Sequence, residues 1–314
     1  MPGSRLPDLD ALRLLRAVVK CGSIAGGAHA LGRSQQAVSA RMRSLESVVG
    51  VSLLVRSPQG TAATDAGTLL LAWADEVLDA ADRLEAGIDT LTGNTASRLT
   101  IAASQTIAEN LLPRWLIRLR HIEEAAGLQP TVTDLRVANS TDVANLVRAG
   151  DYEFGLIESP RLPTDLITDW LGDDELVTVV APSHPWASRS APLDLAELAD
   201  TPLVMRENGS GTREAFADIL ASNKPPLTPQ AHAELGTAAA VRSAIAAGIA
   251  PGVLSRLAVR DDLVLGRLVT VVTNTPPLVR PLTAVHRIRG SLSEGAQRLL
   301  RIARDELSGK ATSR

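Results

Sequence analysis

Ala28-His29-Ala30-Leu31-Gly32-Arg33-Ser34-Gln35-Gln36-Ala37-Val38-Ser39-Ala40-Arg41-Met42-Arg43-Ser44-Leu45-Glu46 reads as two short helices about a glycine turn, a helix-turn-helix. The first, from about Ser23 to Leu31, carries Ile24, Ala28 and Leu31 at helical spacing, and Gly32 follows where a positive φ is easiest to place. The second opens on Ser34, a good N-cap, and Val38, Met42 and Leu45 advance by four and three onto one buried face. Gln35, Gln36, Ser39, Arg41 and Arg43 are left on the other faces. Those types suit a DNA duplex: Gln bonds adenine, Arg bonds guanine or phosphate, and Ser meets base or backbone. A solvated polar face without a partner is the alternative, and the downstream sequence weighs against it.

Working outward, Val51–Val55 and Thr61–Thr64 are β-prone runs around the turn Ser57-Pro58-Gln59-Gly60. From Asp65 to Leu91 there is no proline, and Leu70, Ala74, Val77, Ala81, Leu84, Ile88 and Leu91 alternate steps of four and three. That is the seam of a coiled coil, which predicts a dimer whose helix spaces two DNA-reading heads. A helix packed on its own chain is the competing reading. Thr92-Gly93-Asn94-Thr95 breaks the helix, and the domain boundary is expected there.

The chain has 314 residues, enough for two or three units, and a formal net charge of −3. The charge is uneven: residues 1–60 hold eight Lys or Arg against three Asp or Glu, a net +5, which leaves −8 for the rest. A basic head on an acidic body fits a protein whose N-terminal part alone meets phosphate. Aromatics at 2% leave little for stacking single-stranded bases or RNA. A single cysteine, Cys21, rules out an internal disulfide framework and reads as a small packing residue. With no secretory h-region or apolar span of about 18 residues, the sequence reads as cytoplasmic, with no membrane partner.

Beyond Arg98 short β-prone runs alternate with helices: Leu99–Ala103, Thr131–Ala138 and Phe154–Ile157 around helices near Ile107–Arg120 and Thr141–Ala149. A second set comprises Leu176–Ala181, Leu203–Met205, a helix at Thr212–Ala221, His232–Leu235 and a helix at Ala238–Ala247. Leu263–Thr273 and Leu282–Arg287 then read as strands returning to the first set, before a last helix at Glu294–Leu307. Such alternation predicts a mostly parallel α/β sheet. Several strand ends deliver small hydroxyl residues to a helix start: Ser104-Gln105-Thr106, Asn139-Ser140-Thr141, Gly209-Ser210-Gly211-Thr212-Arg213 and Gly236-Thr237. Free N–H groups and the positive dipole end there favour an anion, and the carboxyl ends of strands are where open α/β sheets bind ligands. At any one of them, simple helix capping explains Ser or Thr equally well. Arg213 either neutralises the ligand or pairs with Glu214 or Asp218.

Gly22-Ser23-Ile24, Ala28-x-x-Leu31-Gly32-x-Ser34-Gln35-x-Ala37-Val38-Ser39, Leu45-Glu46, Gly50-Val51-x-Leu53, Arg56-Ser57 and Thr64-x-Ala66-Gly67 together resemble the N-terminal domain of LysR-type transcriptional regulators. The resemblance is ungapped over Leu14–Leu71 and continues through nearly the whole chain. It implies an α/β protein with an N-terminal winged helix-turn-helix, a long linker helix, and a two-lobed periplasmic-binding-protein-like α/β sensor domain. The implied divisions are 1–64, 65–95 and 96–314, with lobes of about 96–162 plus 275–314 and about 163–274. It also implies a wing whose Arg56 meets phosphate, so that the expected DNA-contacting set is Ser23, Arg33, Ser34, Gln35, Gln36, Ser39, Arg41, Arg43 and Arg56. The family often has Pro where Gln36 stands, and Arg at Ala40 with a polar residue at Arg41. Arg41 lies about 100° round the helix from position 40, so operator preference does not carry over.

The same resemblance implies an effector bound between the lobes, near Ser104, Gln105, Thr106, Asn139, Ser140, Glu207, Gly209, Ser210, Thr212, Arg213 and Thr237. The reading is a small anion, an organic acid or an inorganic oxyanion. Arg206-Glu207-Asn208-Gly209-Ser210-Gly211-Thr212-Arg213 is similar to the branch containing sulfur- and carbon-assimilation regulators, which favours an oxyanion such as sulfite or sulfate. The resemblance further implies a dimer of dimers in which effector-driven lobe closure alters operator bending and access for RNA polymerase.

Catalytic patterns are missing from the sequence. His29, His121, His184, His232 and His286 are scattered without metal-ligand spacing, and there is no Walker loop, nucleophile elbow or dinucleotide fingerprint. The expectation is therefore a non-enzyme without cofactor or metal. The competing class is a solute-binding or ligand-processing α/β protein with an incidental DNA-binding head; a purely architectural DNA binder would need no cleft.

Overall fold

The computed structural model describes residues 6–57, 60–92, 98–275, 277–288 and 292–311, and the chain divides into two compact units, Met1–Thr95 and Ala96–Arg314. In the first, helices α1 (Leu9–Lys20), α2 (Ile24–Ala30) and α3 (Gln35–Val49) precede a two-stranded hairpin of β1 (Leu54–Ser57) and β2 (Gly60–Ala63) and the 28-residue helix α4 (Asp65–Thr92). Ser23 and Ser34 start α2 and α3 as expected, each accepting a backbone N–H three residues on, from Gly26 at 3.0 Å and Ala37 at 3.2 Å. Gly32 between them has φ +61°. The apolar faces meet in one core: Leu15 and Val18 from α1, Ile24 and Ala28 from α2, Val38, Met42 and Leu45 from α3, and Leu53. Gly27 lets α1 and α2 touch, since a Cβ there would lie 2.8 Å from the Val18 backbone.

The hairpin begins three residues later than the sequence suggested, because Val51-Ser52-Leu53 are spent on docking. Glu46 Oε1 accepts from the N–H of Leu53 and Leu54 at 2.8 and 3.2 Å, and Leu53 drops into the core. Thr64, expected in the second strand, instead starts α4, its Oγ1 accepting from Gly67 N at 3.0 Å. Pro58 and Gln59 of the expected turn, and the Gly93–Thr95 break, lie outside the described residues. Along α4 the seam divides. Leu70 and Ala74, with Leu78 outside the expected repeat, face their own chain, where Ala74 and Leu78 pack on Leu12 of α1. Val77, Leu84 and Ile88 are exposed. Competing intrachain packing thus holds for the first turns of α4.

The second unit runs β3 (Arg98–Ser104), α5 (Gln105–Asn110), α6 (Leu112–Ala125), β4 (Val132–Ala138), α7 (Ser140–Arg148), β5 (Phe154–Ile157) and β6 (Leu166–Val180). It continues α8 (Leu195–Asp200), β7 (Leu203–Arg206), α9 (Gly211–Ala221), β8 (Ala231–Leu235), α10 (Ala238–Ala246), β9 (Gly252–Ser255) and α11 (Arg256–Val264). It ends β10 (Val269–Val271), β11 (Leu278–Arg287) and α12 (Glu294–Ala311). Among the described residues a seven-stranded sheet has the order β10-β6-β11-β5-β3-β4, with β9 also on β6, and β7 pairs β8 separately.

The sheet is mixed rather than mostly parallel. β3 pairs in parallel with β4 and β5, and β7 with β8, but β6 pairs antiparallel with β9, β10 and β11, and β11 antiparallel with β5. The chain passes from β5 into β6 and back through β11, and this return reverses direction. Two further expectations change. The helix near Ile107–Arg120 is two, broken at Leu111, because Pro113 in the first turn of α6 supplies no N–H. Leu263–Thr273 is not a strand: Leu263 and Val264 close α11, with Asp262 O accepting from Arg267 N at 2.8 Å, and only Val269–Val271 extend. β9, α8, α11 and the first half of β6 were not foreseen.

Strand alternation sorts the core. On β3, Leu99, Ile101 and Ala103 face Trp115, Leu119 and Leu299 of α6 and α12, while Ala102 faces Val143 and Val147 of α7. On β6, Leu176 and Val180 join Phe216 of α9, while Val177 and Val179 join Val241 and Ile245 of α10. β6 and β11 run through both regions, with Leu171 and Leu282 in the first and Leu176 and Leu278 in the second.

Candidate DNA interface and effector cleft

On α3, steps of four rotate by about 40°, so exposed Gln35, half-buried Ser39 and exposed Arg43 form one row with exposed Gln36 beside them. Arg41 is about 160° from both Ser39 and Arg43. It turns instead to α1, where its Nη2 meets Asp8 Oδ2 at 2.5 Å. The Asp8 carboxyl is held below its ordinary pKa, first by the Ala11 N–H and then by Arg41. Arg33 likewise reaches Asp10 Oδ1 at 3.4 Å. Ser23 and Ser34 are engaged as caps through their lone pairs, which leaves each hydroxyl a proton to donate. Arg56 is exposed on β1 opposite Thr61. The structure therefore gathers Gln35, Gln36, Ser39 and Arg43 and sets Arg41 apart.

In the second unit two of the expected residues, Thr106 and Thr212, meet a side chain the sequence reading missed. Arg280 on β11 is fully buried. It donates through Nη1 to Thr212 Oγ1 at 2.8 Å, through Nη2 to Thr106 Oγ1 at 3.1 Å, and through Nε and Nη2 to Asp174 Oδ2 at 2.9 and 2.7 Å. Glu158, just past β5, adds Oε2 at 3.2 Å from Nη2. Burial pushes the Glu158 carboxyl up, opposed by the Arg280 charge. Ser255 Oγ donates to the second Asp174 oxygen at 2.9 Å. A charged residue inside a β-prone run, Arg280 in Leu278–Leu282, was the available signal; Asp174 sits in the acidic stretch Asp173-Asp174-Glu175 and carried none.

Ser104 and Ser210 flank these residues in sequence; both are buried, and neither Oγ has a hydrogen-bond partner among the described residues. Gln105 spans to α10, giving Nε2–H to Gly236 O at 3.0 Å and accepting Ala238 N–H at 2.8 Å. Asn139 and Thr237 act as caps, accepting from Asp142 and Ala240. Ser140 Oγ accepts from Glu158 N at 3.3 Å. Gly209, at φ +82°, offers its carbonyl to Thr141 N at 3.3 Å. Glu207 holds Arg206 through two bonds at 2.7 and 2.8 Å, leaving the buried Arg206 Nη1 without a partner among the described residues. Arg213 takes neither anticipated partner: it bonds Glu234 and the Arg206 carbonyl, while Glu214 accepts from Ser159 and Asp218 pairs with Arg161. A cavity of about 190 Å³ opens beside Ser140, between α7 and Glu214 of α9.

A winged helix-turn-helix with an exposed polar row, followed by an α/β unit with buried polar groups gathered at strand ends, defines a DNA-binding regulator carrying a ligand domain. Residues 9–68 match the family described as bacterial regulatory helix-turn-helix protein, lysR family, and residues 92–308 match the LysR substrate binding domain. The chain belongs to the LysR-type transcriptional regulators. It is 41% identical over 286 residues, 90% of this chain and 91% of the relative, to the uncharacterized HTH-type transcriptional regulator Rv2282c of Mycobacterium tuberculosis. It is 34% identical to Escherichia coli YeiE, an uncharacterized HTH-type transcriptional regulator, over 93% of this chain and 95% of that one. Among solved structures, ArgP from Mycobacterium tuberculosis has a TM-score of 0.69 at 23% identity, covering 97% and 98% of the two chains. The regulatory domain of Synechocystis CcmR, solved with 2-PG, scores 0.58 at 24% identity and covers 67% of this chain and 97% of its own. The family and its named members are transcriptional regulators, not enzymes. No helix among the described residues is long and apolar enough to cross a membrane.

Proposed function

We propose that this regulator is switched by a small anion, an organic acid or an inorganic oxyanion, bound between two lobes of residues 96–314. The observation that carries the reading is Ser210: its buried Oγ lacks a partner among the described residues at the start of the 11-residue helix α9, two residues before Thr212, which accepts from the fully buried Arg280. A helix start with a spare hydroxyl suits negative oxygen. The small molecule bound to the CcmR regulatory domain supports a ligand in this domain type. Two heads joined along α4, and a dimer of dimers, would read an interrupted operator and alter access for RNA polymerase. The exposed Val77, Leu84 and Ile88 support such pairing.

Isothermal titration of the full chain with sulfate, sulfite, phosphate and small carboxylates tests the effector class. Saturable heat with one of them, lost in Ser210→Ala, is the expected result. Silence across the panel overturns the anion reading.

A further inference from the structure

Residues 1–60 carry three acidic side chains against eight basic ones, and two of the three, Asp8 and Asp10, stand at the start of α1. Each reaches across the fold to a basic group of the helix-turn-helix. Asp8 Oδ2 meets Arg41 Nη2, 33 residues away, and Asp10 Oδ1 meets Arg33 Nη2, 23 residues away. All four side chains are between 43% and 58% exposed, so the pairs sit in solvent where a phosphate can compete for them. The reading row Gln35, Ser39 and Arg43 lies on the opposite flank of α3.

We propose that Asp8 and Asp10 are intramolecular counter-anions that occupy Arg41 and Arg33 and thereby attenuate sequence-independent binding to DNA phosphate. For either arginine to turn its Nη2 to the duplex it exchanges a carboxylate for a phosphate, so that favourable contact is spent for the one gained. The carboxylate left behind then repels the backbone it faces. Because exposed ion pairs are weak, the attenuation is graded and does not block binding. Sequence-independent affinity comes almost wholly from phosphate contacts, so these acids act on that component while leaving the base-reading row untouched. Asp8 also has a second role: its Oδ1 caps α1 through Ala11 N at 2.9 Å. Asn keeps that cap and removes only the charge.

The test is fluorescence anisotropy of the full-length protein on a duplex of random sequence across a salt series. Asp8→Asn with Asp10→Asn is expected to tighten binding by about 1.5- to 5-fold per released arginine, with the salt slope steeper by up to about 0.9 for each. Adding Arg41→Ala and Arg33→Ala to that variant is expected to abolish the gain. If binding is unchanged or weaker, or if the gain survives the arginine substitutions, the acids do not act through these pairs and the proposal fails. Thermal unfolding checks that the fold is kept; should Asp8→Asn unfold, Asp8→Ser retains a capping oxygen and repeats the measurement.

Discussion

Arg280 donates from both Nε and Nη2 to a single oxygen of Asp174, at 2.9 and 2.7 Å, and neither side chain is more than 1% exposed. The pair joins the two strands, β11 and β6, that run through both cores. Removing one partner strands the other charge in a low-dielectric setting. Arg280→Ala is expected to destabilise the second unit by about 3–5 kcal/mol, read as a lower urea midpoint. Arg280→Met with Asp174→Leu and Glu158→Gln should cost less than Arg280→Ala alone, since no buried charge of the cluster is then left without its partner.

Glu158 gives stability a pH dependence. Burial raises its folded pKa above the unfolded carboxylate value, so the folded state binds the extra proton. Its contribution is complete below the ordinary carboxylate pKa and is lost as pH rises through the raised value. Glu153 acts in the same direction, its carboxyl pushed up by burial and opposed by Ser293. Urea midpoints measured between about pH 4 and pH 8 should therefore fall less steeply in Glu158→Gln than in the wild type.

The exposed row of α3 predicts a division of labour. Gln35→Ala or Arg43→Ala should weaken binding to an immunoprecipitated genomic fragment by about 1–3 kcal/mol per lost base contact. Arg41→Ala should change that preference far less, because Arg41 faces α1. Competitive gel shifts with random duplex separate the two outcomes; equal losses would return Arg41 to the reading surface.

Gln105 ties α5 to α10 through both ends of its amide. Gln105→Ala should leave the Ala238 N–H without its acceptor and weaken local protection by about 1 kcal/mol, seen as faster hydrogen exchange at the start of α10. Unchanged exchange would mean that this contact is not kept in solution.

Helix α4 offers an internal control for self-association. Leu78 is fully buried against α1, so Leu78→Ala should cost about 2–5 kcal/mol of folding stability. Leu84 is exposed at 65%, so Leu84→Glu should spare the fold while lowering the assembled mass in analytical ultracentrifugation, as expected if this face pairs with a second copy.

The local half of the structure was legible in the sequence. Ser34, Gly32 and the Val38-Met42-Leu45 step fix the helix-turn-helix through capping, a positive φ and a 3.6-residue period, all of which act within a few residues. The same holds for Asn139 and Thr237 as caps and for Phe154–Ile157 as a strand, copied residue for residue in β5. What the sequence could not determine is partner choice at long range. Arg213 and Arg280 look alike as isolated arginines, yet strand pairing buries Arg280 beside Asp174, 106 residues away, and leaves Arg213 on Glu234. The mixed sheet, the division of the α4 seam and the turning of Arg41 toward Asp8 share that origin. Each depends on which elements come together in space, and that is set by the summed burial of the whole chain, which no local period records.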